Sequence, residues 1–284
     1  MKEKYNLLFF LGPGLLYLFF WKIFPLLYTL YISLLSWKLL KPAQIKFVGL
    51  QNIIDILTNQ DFYQALLFTV KFAILAAILE LILGTLFALL FDNEFRFIKI
   101  LQAIVLVPMV ITPVVVGTIW YILYHDTIGP INYILRVIGL PTVNWLTSTS
   151  NVLSSIIIMD IWHWTPFMFI LILSGLQSIP QEIYEAARID GASFYRTFLY
   201  ITLPQLKNII FVAIILRFMD AFRMFDEILL MTGGGPGRAS QTVSLFVYRQ
   251  AFGFFDMGHS SATIVILLSI MAAVYYWYTY FTTV

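Results

Sequence analysis

The sequence predicts an all-α integral membrane fold with six transmembrane helices, and three observations support this class. Hydrophobic residues make up 61% of the 284 and charged residues only 11%, whereas a soluble domain carries about 25% charge. Six apolar runs reach the roughly 20 residues that a helix needs to cross the hydrocarbon core. Sustained alternation of apolar and polar residues, which membrane-spanning strands would show, is missing from the sequence.

The predicted spans follow one another with short polar connections. They lie at about 7–34, 65–91, 98–121, 152–175, 206–231 and 260–281. Pro108 and Pro113 fall in the third span, where proline is tolerated if neighbouring helices or a wet cavity satisfy the freed backbone groups. We expect a first helix with its outer loop over 1–64, and a five-helix core over 65–284 that contains a polar loop at 178–204.

Composition excludes several classes of function. There is no cysteine and the net charge is only +2, so disulfides, thiol catalysis and a nucleic-acid partner are not expected. The histidines, at 125, 163 and 259, fall in separate segments without ligand spacing. The glycine-rich loop at 233–237 lacks the lysine ending of a phosphate-binding loop. We therefore expect no catalytic residue, no metal and no cofactor in this chain.

The polar loop at 178–204 has its own helical pattern. Pro180 suits a first helical turn, and Gly191 suits a helix end because glycine readily adopts positive φ. A second helix is predicted from Phe194 to Pro204, so that a helix, a glycine turn and a helix would lie along the membrane surface. The residues alone allow either an interfacial amphipathic helix or a docking surface.

The same loop carries a family signature. Glu185-Ala186-Ala187, Gly191, Ile201 and Leu203-Pro204 stand at the spacing of the permease subunits of binding-protein-dependent ABC importers, which this chain resembles over nearly its whole length. The start of the chain and its glycine-rich loop are similar to the first-permease type of the sugar-transporting branch, the type of the maltose and glycerol-phosphate transporters. The charge distribution alone leaves the orientation open.

The resemblance implies a type I ABC importer permease and a mechanism. The loop would form a coupling helix that docks on an ATP-binding subunit, and ATP-driven closure would rock the permease between outward- and inward-facing states. The expected partners are a second homologous permease, two ATP-binding subunits that bind ATP and Mg, and an extracytoplasmic solute-binding protein. The expected location is the inner membrane, with both termini cytoplasmic. The implied coupling residues are Glu185, Ala186, Ala187, Asp190, Gly191 and Ala192.

Charged residues inside the spans point to a polar site, because such residues are costly there and usually functional. In the fifth span Arg217 and Asp220 can pair at i, i+3, and Met224 shares their face. This cluster would either lock helix packing or line a substrate path. The substrate-binding candidates are Asp160, Trp164 and Phe167 at i, i+4, i+7 of the fourth span, with Arg217, Asp220 and Met224.

An aromatic face beside carboxylates suits a sugar, which stacks its ring and donates hydrogen bonds from its hydroxyls. Arg217 and Arg223 would also suit an anionic sugar such as a uronate, because guanidinium binds carboxylates bidentately. The alternative function is an ion-coupled secondary transporter of a polar solute. It would use Asp160 and Asp220 as coupling residues, but it leaves the polar loop unexplained.

Overall fold

The computed structural model describes residues 2–92 and 96–283, and nearly all regular structure in them is helical. The α-helices in chain order are α1 Lys2–Leu18, α2 Phe24–Ser33, α3 Gln51–Leu57, α4 Gln60–Phe91, α5 Ile98–Val110, α6 Pro113–Leu123, α7 Pro130–Val137, α8 Val152–Gln177, α9 Gln181–Ile189, α10 Phe194–Thr197, α11 Leu203–Phe222, α12 Asp226–Met231, α13 Val243–Tyr248 and α14 Met257–Thr283. π-helical turns at Phe19–Ile23, Phe198–Thr202 and Arg249–Gly253 interrupt this series.

The membrane-spanning segments agree in number with the six expected. In the described part of the chain, five helical segments are long and apolar enough to cross a membrane. A sixth results if α5 and α6, which meet at an angle of 93°, count as one broken span. Pro108 lies inside α5, and Pro113 begins α6. The prolines of the predicted third span therefore flank a sharp break.

The fifth span differs from the prediction at both ends. The continuous helical segment is Phe194–Phe222, whereas the sequence suggested a span at 206–231. The α-helix stops at Phe222, and a separate short helix, α12, begins at Asp226. The apolar run that continues to Met231 belongs to this second helix, because hydropathy does not register a change of backbone direction.

The polar loop also differs from the predicted pair of surface helices. The first helix, α9, ends before Gly191 as expected. The second is the start of the fifth span, because α10, the π turn at Phe198–Thr202 and α11 run on without a break. Pro204 does not separate them. It lies at the beginning of α11, directly after the π turn, so its missing N–H falls where the helical hydrogen-bond pattern changes.

The chain forms two compact units. One comprises the residues up to Tyr63 together with those from Phe246 onward, and the other is Gln64–Leu245. In the first unit, β1 Leu35–Ser36 pairs antiparallel with β2 Lys46–Phe47. Asn52 of α3 donates hydrogen bonds to the carbonyls of Ser33 and Leu35, both at 2.8 Å, and so holds α3 to the end of α2.

The second unit contains the larger core. Its main cluster brings α4, α6, α8, α11 and α12 together around buried side chains such as Phe72, Val116, Met159 and Ile228. A small-residue face of α4 makes this packing possible, since Ala73 and Ala76 of this cluster are fully buried. The close approach of these helices positions the polar site described next.

Candidate functional site

A cavity of about 310 Å³ opens in the Gln64–Leu245 unit. It is lined by the start of α6, by α8, by the end of α11 and by the turn that leads into α12. Five of the six residues that the sequence suggested for substrate binding lie on it, namely Asp160, Trp164, Arg217, Asp220 and Met224. The sixth, Phe167, lies behind Trp164, with the two rings edge-on at 6.2 Å.

Arg217 is the centre of a buried cluster that comprises Glu80, Asp160, Arg217 and Asp220. Its Nε donates to Glu80 Oε2 at 2.6 Å, and its Nη2 donates to Glu80 Oε1 at 3.0 Å and to Asp160 Oδ2. Its Nη1 donates to Asp220 Oδ2 at 3.2 Å, which is the i, i+3 pair expected from the sequence. One guanidinium therefore joins three membrane-spanning helices, α4, α8 and α11.

The members of the buried cluster differ in exposure. The side chains of Glu80, Asp160 and Arg217 are at most 1% exposed, whereas that of Asp220 is 44% exposed. A charge withdrawn from water needs both a partner and hydrogen bonds, and Arg217 supplies these to three carboxylates. Asp220 is thus the most exposed of the three cluster members that line the cavity.

Glu80 was not among the residues that the sequence suggested for the site, although it supplies the bidentate contact to Arg217. The available signal was the small-residue stripe around it on α4, with Ala73, Ala76 and Ala77 before it and Gly84 after it. A Cβ at Gly84 would lie 2.6 Å from Met168 Cβ and 2.8 Å from the backbone nitrogen of Phe169. This contact brings α4 against α8 and so delivers the Glu80 carboxylate to Arg217.

Trp164 places an aromatic face beside the charged cluster. The Arg217 guanidinium carbon lies 5.0 Å from the centre of the Trp164 ring, within the range of a cation–π contact. Trp164 is half-buried and lines the cavity. The arrangement can therefore stack one planar or ring-shaped group while carboxylate oxygens accept hydrogen bonds from its hydroxyls.

His163 explains how the break in the third span is tolerated. Its Nε2 lies 3.1 Å from the carbonyl oxygen of Ile111, which stands between α5 and α6. A carbonyl only accepts, so Nε2 carries the proton in this contact. The buried side chain of α8 thus satisfies a backbone group that lipid cannot. Its Nδ1 lies 3.8 Å from Glu227 Oε1 on α12.

A second site candidate is the coupling segment, residues 181–192. α9 ends in a Schellman motif, in which Ala192 N–H donates to Ala187 O at 2.9 Å and Gly191 N–H donates to Arg188 O at 3.1 Å. Gly191 has a φ of +72°, as this motif requires at the residue after the C-cap. The sequence prediction that Gly191 ends this helix is confirmed by its geometry.

The coupling segment presents part of its surface outward. Glu185, Ala186, Asp190 and Gly191 are exposed, whereas Ala187 is buried and Ala192 half-buried. Tyr184 Oη lies 3.2 Å from Thr202 Oγ1, in the π turn at the start of the fifth span. Among the six residues implied by the resemblance, those available to a partner are therefore the two acids and the residue that follows each of them, Ala186 and Gly191.

Comparison with known proteins identifies the class of this chain. Residues 80–283 match the family described as binding-protein-dependent transport system inner membrane component. A probable ABC transporter permease of Sinorhizobium fredii is 41% identical over 239 residues, which cover 84% of this chain and 77% of that protein. The trehalose/maltose transport system permease protein MalF of Thermococcus litoralis is 41% identical over 236 residues, covering 83% and 78%.

Solved structures agree with this fold. A chain of a bacterial ABC transporter involved in the import of the acidic polysaccharide alginate superimposes with a TM-score of 0.85 at 21% identity, and the match covers 99% of this chain and 96% of that one. The likeness at this identity concerns the fold alone. On the family match and the two relatives, this chain belongs to the inner-membrane components of binding-protein-dependent transport systems and is an ABC transporter permease.

Proposed function

We propose that this permease is the transmembrane subunit of an ATP-driven importer that moves a sugar or oligosaccharide into the cytoplasm by alternating access. The observation that carries the proposal is the cavity in which the Trp164 ring stands beside Asp160 and Asp220. Aromatic faces and carboxylates are the groups that suit sugar rings and their hydroxyls. The trehalose/maltose permease among the relatives supports the same substrate class.

ATP hydrolysis is assigned to separate subunits in this proposal. The chain would be no enzyme and would hold no cofactor, with ATP and Mg bound by two ATP-binding partners. The coupling segment would be their docking surface, with Glu185 and Asp190 as its exposed charges and Gly191 as its turn. Because Tyr184 contacts the π turn at the start of the fifth span, a pull on α9 would reach α11 and the cavity.

The remaining partners follow from the same scheme. A second homologous permease would complete the pore, and an extracytoplasmic solute-binding protein would deliver the sugar. With the coupling segment inside the cell, six spans place both termini in the cytoplasm. The membrane is the inner membrane, as the description of the family states.

The experiment is co-purification of the ATP-binding subunits with the tagged permease, using two glycines in identical motifs. Gly139 ends α7 in a second Schellman motif, in which Leu140 N–H donates to Leu135 O at 2.8 Å and Gly139 has a φ of +78°. Gly191→Val and Gly139→Val therefore impose the same backbone strain, of about 1–2 kcal/mol. Only Gly191→Val is expected to lose the ATP-binding subunits and sugar uptake.

Charge provides a second matched pair on α9 itself. Glu185→Lys should lose the ATP-binding subunits, whereas Glu182→Lys, one turn earlier and also exposed, should retain them. Uptake by the wild type should stop with vanadate and persist with ionophores. If uptake is instead sensitive to ionophores and no ATPase accompanies the wild type, the ion-coupled alternative replaces this proposal.

A further inference from the structure

The contacts of Arg217 bear on the charge of the transported sugar, a question that rests on the proposed function. A guanidinium has five N–H donors. Four are engaged here, two by Glu80, one by Asp160 and one by Asp220. Bidentate recognition of a substrate carboxylate needs two parallel free donors, and Arg217 has one left.

Arg217 is also closed off sterically. Its side chain is 1% exposed, and the Trp164 ring lies 5.0 Å from its guanidinium carbon. The carboxylates that hold it come from three positions on three helices, so rearranging one would still leave two in place. Arg217 therefore acts as the fixed counter-ion of the cluster and is unavailable as a reader of anions.

Arg223 is the accessible arginine on the cavity, with its side chain 72% exposed. Its Nε donates to the carbonyl of Met219 on its own helix at 3.2 Å. Its Nη2 lies 3.7 Å from Asp220 Oδ1. Arg223 thus already faces a carboxylate that is itself exposed, so its charge is partly compensated before any substrate arrives.

Acids outnumber arginines on the cavity wall. The lining contains four acids, Asp160, Asp220, Asp226 and Glu227, against Arg217 and Arg223. Glu80 adds a further carboxylate directly behind Arg217. An incoming carboxylate would meet like charges in a medium that screens them poorly, whereas sugar hydroxyls can donate to the same oxygens without that repulsion.

We propose that this cavity rejects acidic sugars, with Asp220 as the residue that determines this specificity. Asp220 is the exposed carboxylate that pairs with both arginines, and it lines the same cavity as Trp164. It accepts hydroxyl hydrogen bonds from the sugar and repels uronates, while Glu80 and Asp160 keep Arg217 from attracting them.

Three matched probes test the charge preference: maltotriose, its derivative with one ring oxidised to glucuronate, and its derivative with one ring aminated. Each is titrated against the purified complete transporter without added binding protein, following tryptophan fluorescence, and each is then used for uptake in proteoliposomes with binding protein. Maltotriose should bind at least tenfold more tightly than the glucuronate derivative. Equal or tighter binding of the glucuronate derivative, or an amino derivative that binds no better than the glucuronate one, would overturn the rejection of acidic sugars.

Asp220→Asn tests the assigned residue, because asparagine keeps a hydrogen-bond acceptor but removes the charge. The ratio of glucuronate to maltotriose affinity should rise at least fivefold in this variant. Asp55→Asn, a charge removal in the other unit, should leave the ratio unchanged. An unchanged ratio in Asp220→Asn would overturn the role of Asp220.

If none of the three probes binds or is taken up by the wild type, the sugar-importer proposal itself fails, which is a different result from binding with the wrong charge preference.

Discussion

Two ion networks, one in each unit, show how the contribution of ion pairs to stability depends on their exposure to solvent. The buried cluster around Arg217 has three members that are at most 1% exposed. The edge cluster comprises Lys38, Asp55, Asp256 and His259. His259 stands between Asp55 at 3.3 Å and Asp256 at 3.1 Å, and Lys38 lies 3.4 Å from Asp256.

Both networks join helices that are distant in sequence, but Asp220 is the one member of the first that is exposed to water, whereas solvent reaches most of the second. The side chains of Lys38 and Asp55 are 57% and 44% exposed, so solvent replaces a lost partner there. Exposed ion pairs typically contribute about 0–1 kcal/mol, whereas removing one partner of a buried pair costs about 3–5 kcal/mol. The buried cluster is therefore expected to govern stability, and the edge cluster to adjust it.

The largest expected effect comes from Arg217→Met, which leaves Glu80 and Asp160 as uncompensated buried carboxylates. The free energy of unfolding should fall by about 3–5 kcal/mol. The measurement is unfolding of the purified permease in detergent, with Lys38→Met as the matched loss of a cation from the edge cluster. That control should cost less than about 1 kcal/mol. Equal losses in the two variants would remove the distinction between the networks.

Double-mutant cycles sharpen the comparison pair by pair. For Glu80→Gln with Arg217→Met we expect a coupling energy of about 2–3 kcal/mol, at the upper end of values for residues in contact. For Asp55→Asn with His259→Asn we expect about 0.2–1 kcal/mol, as for exposed pairs. The free energies of the single and double variants give both values. A coupling near zero for the first pair would mean that Glu80 and Arg217 are held by packing rather than by each other.

The packing that keeps water from the buried cluster can be tested separately. Gly84→Ala places a methyl group against Met168 and Phe169, and such overpacking typically costs about 1–3 kcal/mol. Gly14→Ala is the control, because nothing lies within 4 Å of the corresponding position in α1. Its stability should be unchanged or slightly higher, since alanine is the better helix former. A harmless Gly84→Ala would show that α4 and α8 can separate at little cost.

The smallest effect concerns acid sensitivity at the edge cluster. Burial alone would raise the pKa of Asp256, but hydrogen bonds from His259 and the charges of His259 and Lys38 outweigh it and lower that pKa. A lowered folded-state pKa stabilises above the unfolded value of about 3.9 and is lost as the pH falls. Between about pH 5 and 3, the unfolding temperature should therefore drop more steeply in the wild type than in Asp256→Asn. Parallel curves would contradict this contribution.

The sequence was a good guide where local periodicity decides the structure. Arg217 and Asp220 were expected to pair because they stand three residues apart on a helix, and they do. Gly191 was expected to end a helix because its backbone conformation is a local property. The end of α11 at Phe222 was missed because the apolar character continues to Met231, and hydropathy carries no information about backbone direction.

Contacts between segments that are distant in sequence could not be predicted from local residue spacing. Glu80 and Arg217 are 137 residues apart, and no spacing rule joins them. The prolines at 108 and 113 indicated an interruption, but neither its angle of 93° nor the contact of His163 with the Ile111 carbonyl from another helix could be read from their spacing. The engagement of four of the five N–H donors of Arg217 likewise could not be read from the sequence, in which Arg217 was a candidate for binding an anionic sugar.

The distance along the chain between Glu80 and Arg217 also has a consequence for biosynthesis. At roughly 5–20 residues per second, the ribosome needs roughly 7–27 s to add the 137 residues that separate them. During that interval α4 enters the bilayer with a carboxylate whose partner does not yet exist, at a cost of roughly 3 kcal/mol if it is ionised. In a chain without Arg217 the Glu80 carboxylate stays without this partner after synthesis. Rapid turnover by membrane proteases should therefore be the first phenotype of such a variant, ahead of any defect in transport.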